Sequence, residues 1–328
     1  MRPGAGGLAF GMASTLRVEE GESPRAGTAP SRLSTTDLLL LLMALIWGVN
    51  FAVVKHGTNE LLPLAFNSAR ISLAALTLVA VVLLGRQPLP SRRDALALLA
   101  LGVIGNGAYQ VLFVEGISRT RAGDAALLIA AAPAFMAIIG WLRGTERTGP
   151  RGVIGILLSL CGIALVVFGD SSDDKGNATM LGDALLLGAS LCWSLYSVLL
   201  KPYTERIDGL PLSAFTMIGG AVPLLLVSVT SIAHTNWTSV STGAWGSIAY
   251  SGVLALVVAY FFWYRGVKVL GPTRTGMYGN LQPVIALGVA WATLGEAPHL
   301  AQLGGAACIM AGLLLTRLTE RPVAETRE

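Results

Sequence analysis

From residue 37 onward the sequence is a series of long apolar runs separated by short polar connections. Ten runs stand out, at 37–55, 64–84, 95–115, 123–143, 152–169, 180–201, 212–233, 243–265, 273–294 and 299–317. A run of about 18 or more apolar residues crosses the hydrocarbon core as a helix. The runs lack the period-two alternation of a barrel strand, and backbone groups in lipid must pair within a helix or a closed barrel. The pattern predicts an all-α integral membrane protein with ten transmembrane helices. Residues 1–34 are instead rich in Gly, Ser, Pro and Arg, with no apolar stretch of signal-peptide length, and predict a disordered tail. Residues 319–328 predict a second short tail.

The polar punctuation is written twice. Gly116, Pro133, Trp141, Glu146, Gly155 and Gly162 recur at one constant offset as Gly266, Pro283, Trp291, Glu296, Gly305 and Gly312. An earlier echo pairs WGVNFAVVK, Trp47 to Lys55, with WSLYSVLLK, Trp193 to Lys201. An internal repeat fixes the number of folding units, here 37–169 and 180–318. Each unit holds five spans, an odd number, so the second enters the membrane from the opposite side, and the two form an inverted-topology pair.

Charge sets the orientation. Of the 23 Lys and Arg, 18 fall on the side of the N-terminus, Arg70 lies within a span, and only Lys55, Arg119, Arg121 and Lys175 fall on the other side. By the positive-inside rule both termini are cytoplasmic. Only 13% of residues are charged and the mean hydropathy is +0.65, against about 25% charged in an average soluble domain. The net charge of +4 does not indicate a nucleic-acid binder, because the cations sit between spans rather than in one patch. Cys161, Cys192 and Cys308 all lie inside apolar runs without CxxC spacing and are expected to be buried packing residues.

The run Pro283, Trp291, Gly295, Glu296, Pro298, Gln302, Gly305, Gly312 resembles the signature that closes each EamA domain of the drug/metabolite transporter superfamily. The likeness extends over both halves, 37–318. It departs in the first half, which reads Gly144-Thr145-Glu146 where the second reads Leu294-Gly295-Glu296. The resemblance implies ten helices in two inverted repeats, alternating access, export of small metabolites, and a cavity lined by the first four helices of each repeat.

Polar and aromatic residues deep in apolar spans mark a pathway, because facing lipid is costly. The candidates for the cavity wall are Trp47, Asn50 and Phe51 in the first span and Arg70 in the second. The third span adds Asn106, Tyr109 and Gln110, the sixth Trp193 and Tyr196, the eighth Tyr260 and Trp263, and the ninth Tyr278, Asn280 and Gln282. Arg70 can face the cavity and hold a carboxylate or phosphate, or it can snorkel outward or serve as a structural tie to Asn67 or a helix end. Pro133 and Pro283 each remove a backbone donor in mid-span and are candidate hinges. Gly155 with Gly162, and Gly305 with Gly312, are spaced for close helix packing. Glu146 and Glu296 are candidate gates, or caps for the next helix. Lys55 and Lys201 read as interfacial anchors.

The reading is a plasma-membrane exporter of a small metabolite, with a solute and the lipid bilayer as its partners and no cofactor, metal or nucleic acid. An importer or facilitative carrier of the same fold is the alternative. An intramembrane enzyme would need a nucleophile with a base, or metal ligands, at mid-depth. His56, His234 and His299 instead lie at span ends, and neither HExxH nor GxSxG occurs.

Overall fold

The fold is that of a computed structural model, which describes residues 34–143, 149–169, 177–270, 275 and 278–317. Among these the chain forms α1 (Thr35–Glu60), α2 (Pro63–Leu84), α3 (Arg92–Arg119), α4 (Ala122–Leu142) and α5 (Pro150–Phe168). The second half repeats the set as α6 (Asn177–Thr204), α7 (Gly209–His234), α8 (Thr242–Leu270), α9 (Leu281–Leu294) and α10 (Leu300–Arg317). Eight of these are long and apolar enough to cross a membrane, and α9 and α10 are shorter apolar helices. The protein is an all-α membrane protein, as the apolar runs predict. The predicted ninth span began at 273, whereas the described helix begins at Leu281.

Local signals set the helix starts. Ser34 accepts from the Asp37 N–H at 3.2 Å, and the Asp37 carboxylate accepts from the Ser34 N–H at 2.8 Å, a reciprocal cap on α1. Ser91 and Ser241 cap α3 and α8 in the one-sided form. Pro63 and Pro150 stand in the first turns of α2 and α5, where the missing N–H leaves no helix bond unmade.

The packing has an approximate two-fold symmetry that exchanges α1–α5 with α6–α10. The pair α1 and α9 answers to α6 and α4, α1 and α8 to α6 and α3, and α2 and α8 to α7 and α3. The pairs α2 with α7 and α5 with α10 map onto themselves. The α5–α10 contact runs through the repeated glycines: a Cβ on Gly162 would lie 2.8 Å from the Gly305 carbonyl, and one on Gly305 2.9 Å from the Gly162 carbonyl. Small residues there let the backbones touch.

Two irregularities also repeat. A π-helical segment interrupts α3 at Val103–Ala108 and α8 at Tyr250–Val258, positions that coincide under the repeat offset. A break in α4 at Ala130–Ala131 and a turn at Asn280 before α9 precede Pro133 and Pro283, the former in the first turn of its resumed helix. The carbonyl that Pro133 leaves without a helical donor, on Ile129, faces the Ser190 hydroxyl of α6 at 3.4 Å. Outside the bundle, Trp141 and Trp291, a repeat pair near the ends of α4 and α9, are 60% and 61% exposed, as interfacial belt residues are. Cys161 is exposed as well, on the outward side of α5, which corrects the expectation that it is buried.

Candidate functional site

Between the halves lies a cavity of about 390 Å³. Its wall is built from α1, α3, α4, α6, α8 and the start of α9, with Arg70 of α2 at one end; α7 contributes none of the lining residues, and neither do α5 and α10. Of the four helices per repeat that the resemblance implies, the wall therefore omits α7, which packs on the outer side of α2 and α3. Trp47, Asn50, Phe51, Tyr109, Gln110, Trp193, Tyr260, Trp263, Asn280 and Gln282 all line the space with Arg70, so the structure brings these predicted residues together.

Aromatic rings make the middle of the wall. Trp47 stands edge-on to Trp193 at 6.2 Å and to Tyr260 at 5.8 Å between centroids, while Tyr109 tilts against Trp193 at 5.2 Å. Such edge and tilted pairs are favoured by the ring quadrupoles. The Trp47 indole donates to the Ala255 carbonyl at 2.9 Å, inside the π segment of α8, and the Tyr250 hydroxyl donates to the Ile46 carbonyl at 3.1 Å. Those bonds fasten α1 to α8 and fix the orientation of the Trp47 ring.

At the blind end of the cavity Arg70 is 1% exposed, and its hydrogen-bond partners are neutral groups. Its Nε donates to Asn67 Oδ1 at 2.7 Å, one Nη to Ser251 Oγ at 2.7 Å, and the other to the Gln110 side-chain oxygen. Its guanidinium carbon also lies 5.6 Å from the centre of the Phe113 ring. Ser251 comes within reach because residue 252 is glycine: a Cβ there would sit 2.9 Å from the Arg70 carbonyl. Sequence reasoning missed Ser251, and its short side chain in an apolar run gave little signal.

The two ends of the cavity differ. Toward one end it reaches Arg143, Lys201 and Pro202, which are exposed. Tyr278, bonded to Asp37 at 2.5 Å, ties the starts of α1 and the α9 segment at this same end. Beyond Arg70 and Phe51 the bundle is closed by Val54, Phe66, Ile117 and Leu127, all buried. Above that plug Lys55 donates to the carbonyls of Ile117 and Ser118 at 3.2 and 3.0 Å. It is thus a cap on the C-terminal end of α3 rather than an anchor in the interface. Lys55 and Lys201, a repeat pair, lie at opposite ends of the bundle, one in the seal and the other at the mouth.

Glu296 belongs to the sealed end. Gly295 ends α9 in the left-handed conformation, φ 70°, and turns the chain so that the Glu296 carboxylate accepts from the Ala122 N–H at 2.9 Å. It caps α4 of the other repeat rather than the helix that follows it. Arg121 alongside donates to the Ala297 carbonyl at 2.7 Å. Burial pushes the Glu296 carboxyl above its ordinary value of 4.5, opposed by the Ala122 amide and by the charges of Arg121 and Lys55. Glu146, its repeat partner, lies outside the described residues.

Three predicted wall residues are elsewhere. Tyr196 is fully buried behind Trp193, its hydroxyl 2.7 Å from that of Tyr264 and its ring against Gly105 of α3. Asn106 is buried against the backbone of Gly220 in α7. The π segment around it adds a residue per turn and rotates Asn106 away from the face that Gln110 and Phe113 keep. Tyr278 packs beside the cavity and is engaged with Asp37. Of the two hinge candidates, Pro133 lines the cavity, while Pro283 is buried outside it.

Several known proteins named as transporters are similar to this chain. An "Uncharacterized transporter YyaM" of Bacillus subtilis (strain 168) is 28% identical over 84% of this chain and 92% of its own. An "Uncharacterized transporter" of Archaeoglobus fulgidus is 30% identical over 86% of this chain and 97% of its own. A "Probable terminal-alkyne amino-acid exporter" of Streptantibioticus cattleyicolor is 29% identical over 88% of this chain and 95% of its own. A solved crystal structure with 18% identity superposes with a TM-score of 0.63 over 88% of this chain and 98% of that one, a likeness of fold. The family model described as the EamA-like transporter family matches residues 34–168 and 180–318. Both matched stretches end on the helices that pair through Gly162 and Gly305, and with most of its length so covered the chain belongs to the EamA-like transporter family.

Proposed function

We propose that this chain exports a small metabolite across the plasma membrane by alternating access, with both termini in the cytoplasm. One observation carries the reading. The cavity is open at one end and sealed at the other, and the repeat counterpart of a sealing residue stands at the open mouth: Lys55 in the seal, Lys201 at the rim. In an inverted repeat, exchanging the conformations of the two halves exchanges the open and closed ends. The described arrangement then corresponds to the inward-open state, since the mouth carries the cationic connections that the positive-inside rule puts in the cytoplasm.

In this mechanism the breaks before Pro133 and Pro283 are the bending points, and Glu296 with Lys55 holds the outer side shut. Glu146 has the corresponding role at the inner side. The solute sits among the Trp47, Trp193, Tyr260 and Trp263 rings, at the level where the two repeats meet.

Reconstituted protein tests the carrier reading. Flux that saturates and is accelerated by solute on the far side supports it, and flux linear in concentration sinks it. Direction is tested in cells challenged with toxic metabolite analogues. Export raises tolerance on overexpression and lowers it on deletion, and import gives the reverse.

A further inference from the structure

We infer that the solute is an organic acid, with its carboxylate seated on Arg70 and an aromatic or apolar body against the tryptophans. The inference rests on reading the cavity as a solute site and is independent of the direction of flux.

Charge is the first ground. The ionisable residues on the cavity wall that carry charge are Arg70, Arg143 and Lys201, and among the described residues no Asp or Glu lines it. Among the described wall residues, two cations at the mouth and one at the blind end give charge of one sign, and low-dielectric walls strengthen such a field and raise the local concentration of an anion.

The second ground is the state of Arg70. A buried cation is costly unless paired, and proteins ordinarily pair it with a carboxylate. Here the partners are an amide, another amide and a hydroxyl: Asn67, Gln110 and Ser251. Its ionisable neighbours are the phenols of Tyr109 and Tyr260. A guanidinium has five N–H donors, and these contacts occupy three. A solute carboxylate can take the open pair, or replace the neutral acceptor Ser251 or Gln110. A carboxylate adds to such a bond the attraction of an opposite charge, which Ser251 and Gln110 lack, and the planar fork matches its two oxygens.

Shape is the third. A cavity of about 390 Å³ is at the small end of ligand pockets, which run from about 300 to 1,000 Å³. The rings of Trp47, Trp193 and Trp263 offer faces to an apolar or aromatic body. They supply no carboxylate for a second, cationic end, so the acid is preferred over an amine.

The test is equilibrium binding to purified wild-type protein, read by the fluorescence of the cavity tryptophans. The probes are 3-phenylpropionate, its uncharged amide 3-phenylpropanamide, phenethylamine and phenyl phosphate. The expected order places the acid at least about tenfold tighter than the amide and the amine, a step of about 1.4 kcal/mol, with phenyl phosphate weaker than the acid. Its affinity falls with added salt, and R143Q with K201Q reduces that dependence. Arg70→Gln removes the preference for acid over amide, lowering the acid's affinity more than the amide's; Arg70→Lys retains part of it. An amide or amine that binds as well as the acid, no binding by any probe, or a folded R70Q that keeps the preference overturns the assignment. Tighter binding of phenyl phosphate overturns the carboxylate headgroup. Protein that binds the acid but gives no saturable flux defeats the carrier reading and leaves this one standing.

Discussion

Glu296 at the end of α9 accepts a hydrogen bond from the backbone N–H of Ala122, the first residue of α4, at 2.9 Å. The contact joins the second repeat to the first at the sealed end. A carboxylate at a helix N-terminus is favoured by the helix dipole and by the unsatisfied N–H groups there. Removing such a cap costs about 0.5–2 kcal/mol, so Glu296→Ala shifts the balance between the two conformations toward the outward-open one by about 2- to 30-fold. Labelling of a cysteine placed at Ser118, in a variant lacking the native cysteines, by an impermeant maleimide measures the shift.

The same contact responds to pH. Burial raises the Glu296 carboxyl above 4.5, so the protonated form favours the sealed arrangement over one in which the group is hydrated. This contribution is full below 4.5 and is lost as pH rises through the raised value. Labelling at Ser118 therefore increases from acid toward neutral pH in the wild type. In Glu296→Gln, which keeps an acceptor for Ala122, it is flat; an equally steep response there rules out Glu296 as the titrating group.

Gly162 and Gly305 provide a stability prediction separate from the cavity. A Cβ on Gly162 meets the Gly305 carbonyl at 2.8 Å, closer than real Cβ atoms approach backbone. Gly162→Leu forces α5 and α10 apart and costs about 1–3 kcal/mol by overpacking. The thermal midpoint in detergent falls, whereas the affinity of the folded fraction for its solute is unchanged.

Pro133 gives a kinetic prediction. Pro133→Ala restores an N–H that can bond the Ile129 carbonyl, now faced by Ser190 at 3.4 Å. The continuous helix is more stable, by up to about 3 kcal/mol where the backbone can straighten. Exchange across the membrane slows while binding persists. Unaltered exchange with the helix restored removes the bend from the mechanism.

The helices and the repeat were legible because the lipid boundary leaves the sequence little freedom: Trp141 and Trp291, or Gly162 and Gly312, answer to the same physical demand twice. The wall was legible in part. Polar and aromatic residues in apolar spans line one cavity around Trp47 and Arg70, but a regular 3.6-residue period places Asn106 on the face of Gln110 and Phe113. The π segment at Val103–Ala108 breaks that extrapolation, and no residue in VIGNGA announces it. Tyr196 was misjudged for another reason: Gly105 opens a pocket for its ring on α3, which requires knowing the partner helix. The target of Glu296 was hidden because the nearest helix start in sequence is α10, whereas the nearest in space is α4.

The Lys55 seat has a consequence for how readily the outer side can open. Its ammonium rests on the carbonyl oxygens of Ile117 and Ser118, groups without net charge. When the ammonium withdraws, those oxygens need only water, and the Glu296 carboxylate that its charge helps to stabilise keeps the Ala122 amide and the Arg121 charge, so no anion is left wholly unpaired as after parting a buried ion pair. A fastening of one charge against two dipoles can be undone and remade in every turnover with a low barrier.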